Sequence, residues 1–122
     1  MARRDIAGAV DFSHLESFAA GDQALIDEVL AMFQEQAALW VRLLDPDGPE
    51  DSWRDAAHTL KGSSLGVGAF ALAQACDAAE IGYAADPGRK SVYLNHIRDA
   101  LDAALADIAA YAHERMLQSL KG

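Results

Sequence analysis

The chain has 122 residues, with 10 Lys and Arg against 19 Asp and Glu, a formal net charge of −9, one cysteine and 52% apolar residues. That length suits one domain around a single core. The acidity repels phosphate backbones and argues against nucleic acid as a partner, and Cys76 alone makes no intramolecular disulfide.

No uncharged apolar run approaches the roughly 18 residues that cross a bilayer, and the basic start Met1-Ala2-Arg3-Arg4 leads into no apolar segment of the secretory kind. A cytoplasmic protein without membrane contact is expected, with Cys76 a small buried residue. Good helix formers dominate, the prolines are confined to Pro46, Pro49 and Pro87, and no window alternates apolar and polar residues for long. The fold class is therefore all-α.

Residues 1–11 lack an apolar period and read as an N-terminal tail, so the bundle domain is assigned to residues 12–122. A brief helix runs from Phe12 or Ser13 to Ala20, ended by Gly21. From Asp22, a good N-cap, the residues Leu25, Val29, Met32, Phe33, Gln36, Leu39, Trp40 and Leu43 follow three-four spacing and predict an amphipathic helix with that stripe inward. Asp45-Pro46-Asp47-Gly48-Pro49 stops it.

The next helix begins between Glu50 and Trp53 and runs toward Gly66 and Gly68, either of which suits a left-handed helix end. Another spans Ala69 to Ala84 with Leu72, Ala75, Cys76, Ala79 and Tyr83 inward, and Asp86-Pro87-Gly88 reads as a turn. The last starts near Lys90 or Ser91, its stripe being Leu94, Ile97, Leu101, Leu105, Ile108 and Ala112. Four long helices with short connections predict an antiparallel up-down-up-down bundle preceded by a short N-terminal helix.

The chemistry concentrates on the helix that follows Pro49. At about 100° per residue, Trp53, Ala56, Ala57, Leu60, Ser64 and Val67 gather on one side, and His58 falls opposite Leu60, toward solvent. Arg54 lies one turn before it, and Lys61 and Gly62 three and four residues after it, so the ring is flanked by two cations and an absent side chain. Such a setting suits a histidine that carries a phosphoryl group. In a hairpin turning near Gly68-Ala69, residue numbers summing to about 138 share a height, which pairs His58 with Glu80 and Lys61 with Asp77. A carboxylate at Glu80 would accept from Nδ1–H and leave the Nε2 lone pair pointing outward. Asp77 and Arg54 also admit a plainer reading, as solvated charges.

Glycine within a helix costs roughly 1 kcal/mol relative to alanine, and access for a partner to His58 accounts for Gly62. Ser63 and Ser64 have no base beside them and read as packing or backbone-bonding hydroxyls. His14, His96 and His113 read as surface residues, and Trp40, Trp53 and Phe33 as core anchors. No phosphate-binding GxxxxGK[ST] loop and no cluster of carboxylates for magnesium occurs, so nucleotide and metal are expected from elsewhere.

The run His58-Thr59-Leu60-Lys61-Gly62-Ser63-Ser64, followed by Gly68-Ala69, Leu72, Cys76 and Glu80 and preceded by Ala57 and Asp51-Ser52-Trp53, resembles the histidine-containing phosphotransfer (HPt) domains of phosphorelays. The likeness covers most of the chain from about Phe12. It implies phosphorylation of His58 on Nε2, charge support from Lys61, room for docking at Gly62 and a hydrogen-bonding side chain at Glu80. It also implies docking, over a surface that takes in Arg54, Gly62 and Leu65, of response-regulator receiver domains that supply their own magnesium, with a hybrid or sensor histidine kinase upstream. No cofactor and no metal are expected on this chain, and a monomer is expected. Leu65-Gly66-Val67 is richer in glycine than the family's usual linker, and Ala79 replaces a larger apolar residue.

Two other functions compete. One is a helical adaptor that binds a receiver or kinase without carrying phosphate, against which the complete His-Lys-Gly group speaks. The other is a histidine-bearing dimerisation segment of a sensor kinase. Such segments place an acid directly after the histidine, where this chain has Thr59, and lead into an ATP-binding domain, which is not expected after Gly122.

Overall fold

The computed structural model describes residues 7–121, which form five helices and no strand: α1 (Phe12–Phe18), α2 (Gln23–Arg42), α3 (Glu50–Val67), α4 (Phe70–Ile81) and α5 (Pro87–Lys121). The part of the expected tail that covers residues 1–6 lies outside the described residues. The protein is an all-α helical bundle with a short first helix. Within it α3 and α4 form an antiparallel hairpin, and one core cluster holds residues from every helix.

Helix starts follow the local chemistry. Asp11 accepts from the backbone N–H of Ser13 at 3.1 Å and of His14, and Asp22 from Leu25 at 3.2 Å. Pro49 precedes α3, whose first turn carries Glu50 and Asp51 where the helix dipole favours negative charge. At its other end Gly68 has φ +83, and the Gly68 and Ala69 N–H groups bond to the carbonyls of Leu65 and Ser64, a Schellman motif. Gly68 thus takes the left-handed position, while Gly66 stays inside the helix.

The six residues expected on the inner side of α3, Trp53, Ala56, Ala57, Leu60, Ser64 and Val67, are all buried. Ser64 Oγ donates to the Leu60 carbonyl at 2.7 Å, which satisfies its hydroxyl in the core. The Trp53 indole N–H donates to the Ala79 carbonyl at 2.8 Å and ties α3 to α4. Small residues on α4, Ala73, Cys76 and Ala79, let the two helices approach closely.

Four expectations differ. The inward face of α2 is Ile26, Leu30, Phe33 and Ala37, continued by Leu44, whereas Leu25, Met32, Leu39 and Leu43 are exposed. Of the expected stripe Phe33 is buried and Val29 and Trp40 pack against the core, so this helix is apolar on two faces and three-four spacing alone picked out a stripe that only partly coincides with the buried one. Helix α5 starts at Pro87: Asp86 caps it by accepting from Arg89 N–H at 2.8 Å, and proline takes the first helical position, where a missing N–H costs nothing. What reads as a turn is the start of the helix. Helix α4 is shorter than expected, ending at Ile81 with Gly82 as its C-cap. On α5, Tyr111 is buried where Ala112 was expected, and Asp107 is buried beside Ile108.

Asp107 explains why residues 7–11 are not a free tail. Its carboxylate accepts from the backbone N–H of Ala7 at 2.7 Å and of Val10 at 3.0 Å, and Val10 is buried. Phe12 stacks on Tyr111 with ring centroids 4.2 Å apart, and Asp11 N–H donates to the Gly68 carbonyl at 2.9 Å. The N-terminal segment therefore fastens the α3–α4 turn to α5.

A Cβ added at Gly68 would stand 2.7 Å from the Asp11 carbonyl oxygen and would also force a side chain into left-handed backbone. Gly68→Ala is expected to cost about 2 kcal/mol or more, read as a lower urea midpoint at unchanged slope. A stability equal to that of the parent would refute the role given to this turn.

Candidate functional site

The α3–α4 hairpin brings together four side chains. His58 projects from the outer side of α3 with its side chain 66% exposed, and its Nδ1 lies 2.9 Å from Glu80 Oε2. The other oxygen, Oε1, is shut off from water and lies 2.8 Å from Lys61 Nζ. That contact is a pairing of charges rather than a directed hydrogen bond, so Lys61 is the counter-charge of Oε1. The ammonium also reaches Asp77 Oδ1 at 3.2 Å. The order across the site is His58, Glu80, Lys61, Asp77.

These contacts fix the protonation pattern. Lys61, followed by the hydrogen bond from His58, holds the Glu80 carboxyl below the usual carboxylate range. Glu80 and then Asp77 raise the Lys61 ammonium above its ordinary value. An ionised carboxylate only accepts hydrogen bonds, so Nδ1 is the donor, and in the neutral ring this leaves the lone pair on Nε2.

The remaining predicted residues fall around this row. Gly62 is exposed, and a Cβ there would meet nothing within 4 Å, so the interior of the fold does not require glycine. Arg54 is turned to other partners, with its guanidinium 3.1 Å from Asp51 and 5.0 Å above the Tyr83 ring, and is not gathered to the imidazole. Leu65, 46% exposed, lines a shallow hollow between α3 and α4 with Phe70, Ala73, Lys61 and Asp77. A second hollow, on the α1–α2 side of α3, is lined by Phe18, Val29, Met32 and Gly66.

Met32, Phe18 and Phe70 were not legible as surface residues of this face. Met32 belongs to the apolar stripe that three-four spacing turns inward, and nothing in the periodicity of α1 exposes Phe18. Ser64 is taken up by the Leu60 carbonyl, and no hydrogen bond joins Ser63 to a base among the described residues, while His14, His96 and His113 are exposed, with His14 edge-on to Phe70 at 5.5 Å. Burial pushes the Cys76 thiol up to about 12, which keeps it protonated and unreactive inside the hairpin.

A helical bundle that presents one exposed, carboxylate-bound histidine is the architecture of a histidine carrier, and the Hpt domain family model matches residues 23–111. The chain belongs to the Hpt domain family, whose members carry phosphoryl groups on histidine within phosphorelays and interact with receiver domains and kinases. Among solved structures it is similar to the crystal structure of the histidine phosphotransferase ShpA from Caulobacter crescentus, with 57% sequence identity, a TM-score of 0.76, and coverage of 93% of this chain and 99% of that one. No curated protein matches. Among the described residues no helix is long and apolar enough to cross a membrane.

The lowered Glu80 value carries a sign. A carboxyl whose folded value lies below its unfolded one stabilises the fold above the unfolded value, and that contribution is lost as pH falls through the folded value. The urea midpoint of the parent should exceed that of Glu80→Gln near neutral pH, and the two should converge in strong acid. A gap that persisted at about pH 2 would show that the ionised carboxylate is not its source.

Proposed function

We propose that this protein carries a phosphoryl group on Nε2 of His58, taking it from the aspartyl phosphate of one receiver domain and yielding it to the aspartate of another. The observation that carries this reading is the exposed imidazole whose Nδ1 is held by Glu80 at 2.9 Å. The Nε2 lone pair attacks phosphorus, the P–O bond to the receiver carboxylate breaks with its electron pair staying on oxygen, and an N–P bond forms. The ring becomes a cation with its proton still on Nδ1, and Glu80 offsets that charge. Return of the phosphoryl group to a carboxylate releases the same neutral imidazole.

Lys61, joined to His58 through Glu80, is the cation that offsets the added negative charge, and Gly62 leaves the outer surface of α3 flat where a receiver must approach Nε2 in line. Arg54 and Leu65 belong to the docking surface, with the hollows that hold Phe70 and Met32 on either side. The chain acts as a carrier without an ATP site of its own: the kinase supplies nucleotide, and the receiver supplies magnesium. A monomer in the cytoplasm fits an acidic chain whose histidine face must stay free for partners. The similarity to ShpA, a histidine phosphotransferase, supports the same reading.

A receiver domain phosphorylated on its aspartate should label the parent with an acid-labile, alkali-stable phosphate and leave His58→Ala unlabelled. Labelling of that variant would reject His58. Glu80→Ala should slow transfer by about tenfold without abolishing it, the equivalent of one charge-assisted hydrogen bond of roughly 1.5 kcal/mol. At Gly62, alanine should stabilise the fold by about 0.5–1 kcal/mol, whereas a bulky residue such as Gln should slow transfer while leaving the circular dichroism spectrum unchanged. Equal transfer rates for parent and Gly62→Gln would remove the docking role.

A further inference from the structure

The charges around His58 do not add up as a site built to hold phosphate tightly would require. With the imidazole neutral, Lys61 contributes +1 while Glu80 and Asp77 contribute −1 each, so the group already bears a net negative charge, and phosphorylation, which puts about two negative charges on oxygen and one positive charge on the ring, makes it more negative by about one. Glu80 has a task on the ring. Asp77 makes no hydrogen bond or ion pair with His58. It lies one turn earlier on α4, its polar partner among the described residues is Lys61, at 3.2 Å, and its side chain is 52% exposed.

The ammonium is thus held between two carboxylates on the α4 side of the site. To meet a phosphoryl group on Nε2 it has to loosen a contact with one of them. Asp77 opposes that movement in two ways: it competes for the ammonium, and its charge repels the incoming phosphate through partly screened solvent. Both effects weaken the phosphorylated state and leave the free state better satisfied.

Resting on the reading that His58 is the carrier, we propose that Asp77 is a positioning residue that acts through Lys61 to set how readily His58 gives up its phosphoryl group. It lowers the affinity of His58 for phosphate and so biases the exchange toward the receiver. Docking affinity and phosphoryl affinity separate cleanly in this exchange. A change in docking alters the forward and reverse rates together, whereas the equilibrium ratio of the free proteins depends only on how tightly each holds the group.

The test is that ratio, phosphorylated carrier times free receiver over free carrier times phosphorylated receiver, measured with dilute full-length protein and one receiver domain and approached from both directions. Asp77→Asn should shift it toward phosphorylated His58 by about threefold or more. Asp77→Glu, which keeps the charge, should stay close to the parent ratio, and in a Lys61→Met background the Asp77→Asn shift should shrink to less than half. Unchanged ratios with altered rates would make Asp77 a docking residue and overturn the proposal. A shift of full size without Lys61 would equally overturn it, as a direct field effect needing no positioned lysine. These results all presuppose a parent that labels on His58. A parent that never labels, or a His58→Ala variant that does, defeats the carrier reading and this inference with it, whereas a normally labelled parent with an Asp77-independent ratio defeats only the inference.

Discussion

Every polar contact in the row His58, Glu80, Lys61 and Asp77 crosses from α3 to α4, so the register of that hairpin is the constraint on which the proposed chemistry depends. A slip of one residue would rotate Glu80 by about 100° on its helix and take it away from the imidazole. Three local features set the register. Gly68 closes α3 in left-handed backbone, Ala69 alone separates it from α4, and the Trp53 indole fixes the height of Ala79. Because Ala79 precedes Glu80, a buried hydrogen bond in the core positions a carboxylate at the surface.

The site itself separates two requirements that pull in opposite directions. For the proposed transfer the ring must be accessible, yet it must also present one nitrogen at a fixed angle. Exposure comes from the outer face of α3, where Gly62 adds no bulk; orientation comes from the neighbouring helix, whose carboxylate Oε1 is shielded from water. Shielding strengthens the Lys61–Glu80 pairing relative to one in open solvent. The histidine is free on one edge and held on the other by a carboxylate from the neighbouring helix.

The rest of the fold serves as a rigid frame for the hairpin. Helix α5, 35 residues and about 52 Å long, packs along α4 and takes the N-terminal segment through Asp107 and the Phe12–Tyr111 stack. The same segment touches the Gly68 carbonyl through Asp11. Chain regions a hundred residues apart are thereby joined next to the turn that sets the register.

Read alone, the order of residues left Gly66 and Gly68 as alternative ends of α3 and did not mark the cap at Asp11, but it determined the inner side of α3, the outward position of His58, the pairing heights of Glu80 and Asp77, and the helix start at Asp22. All of these depend on a repeat of 3.6 residues or on groups within one or two turns of each other. The tertiary structure decided which of two apolar faces of α2 is buried, because that choice depends on which helix arrives and how closely Ala37 lets it approach. It likewise decided the burial of Asp107, whose backbone partners lie about a hundred positions away, and the sharing of one ammonium between Glu80 and Asp77. Periodicity records only the face a residue occupies, whereas burial of a charge, or its division between two partners, is fixed by groups brought together when the helices pack.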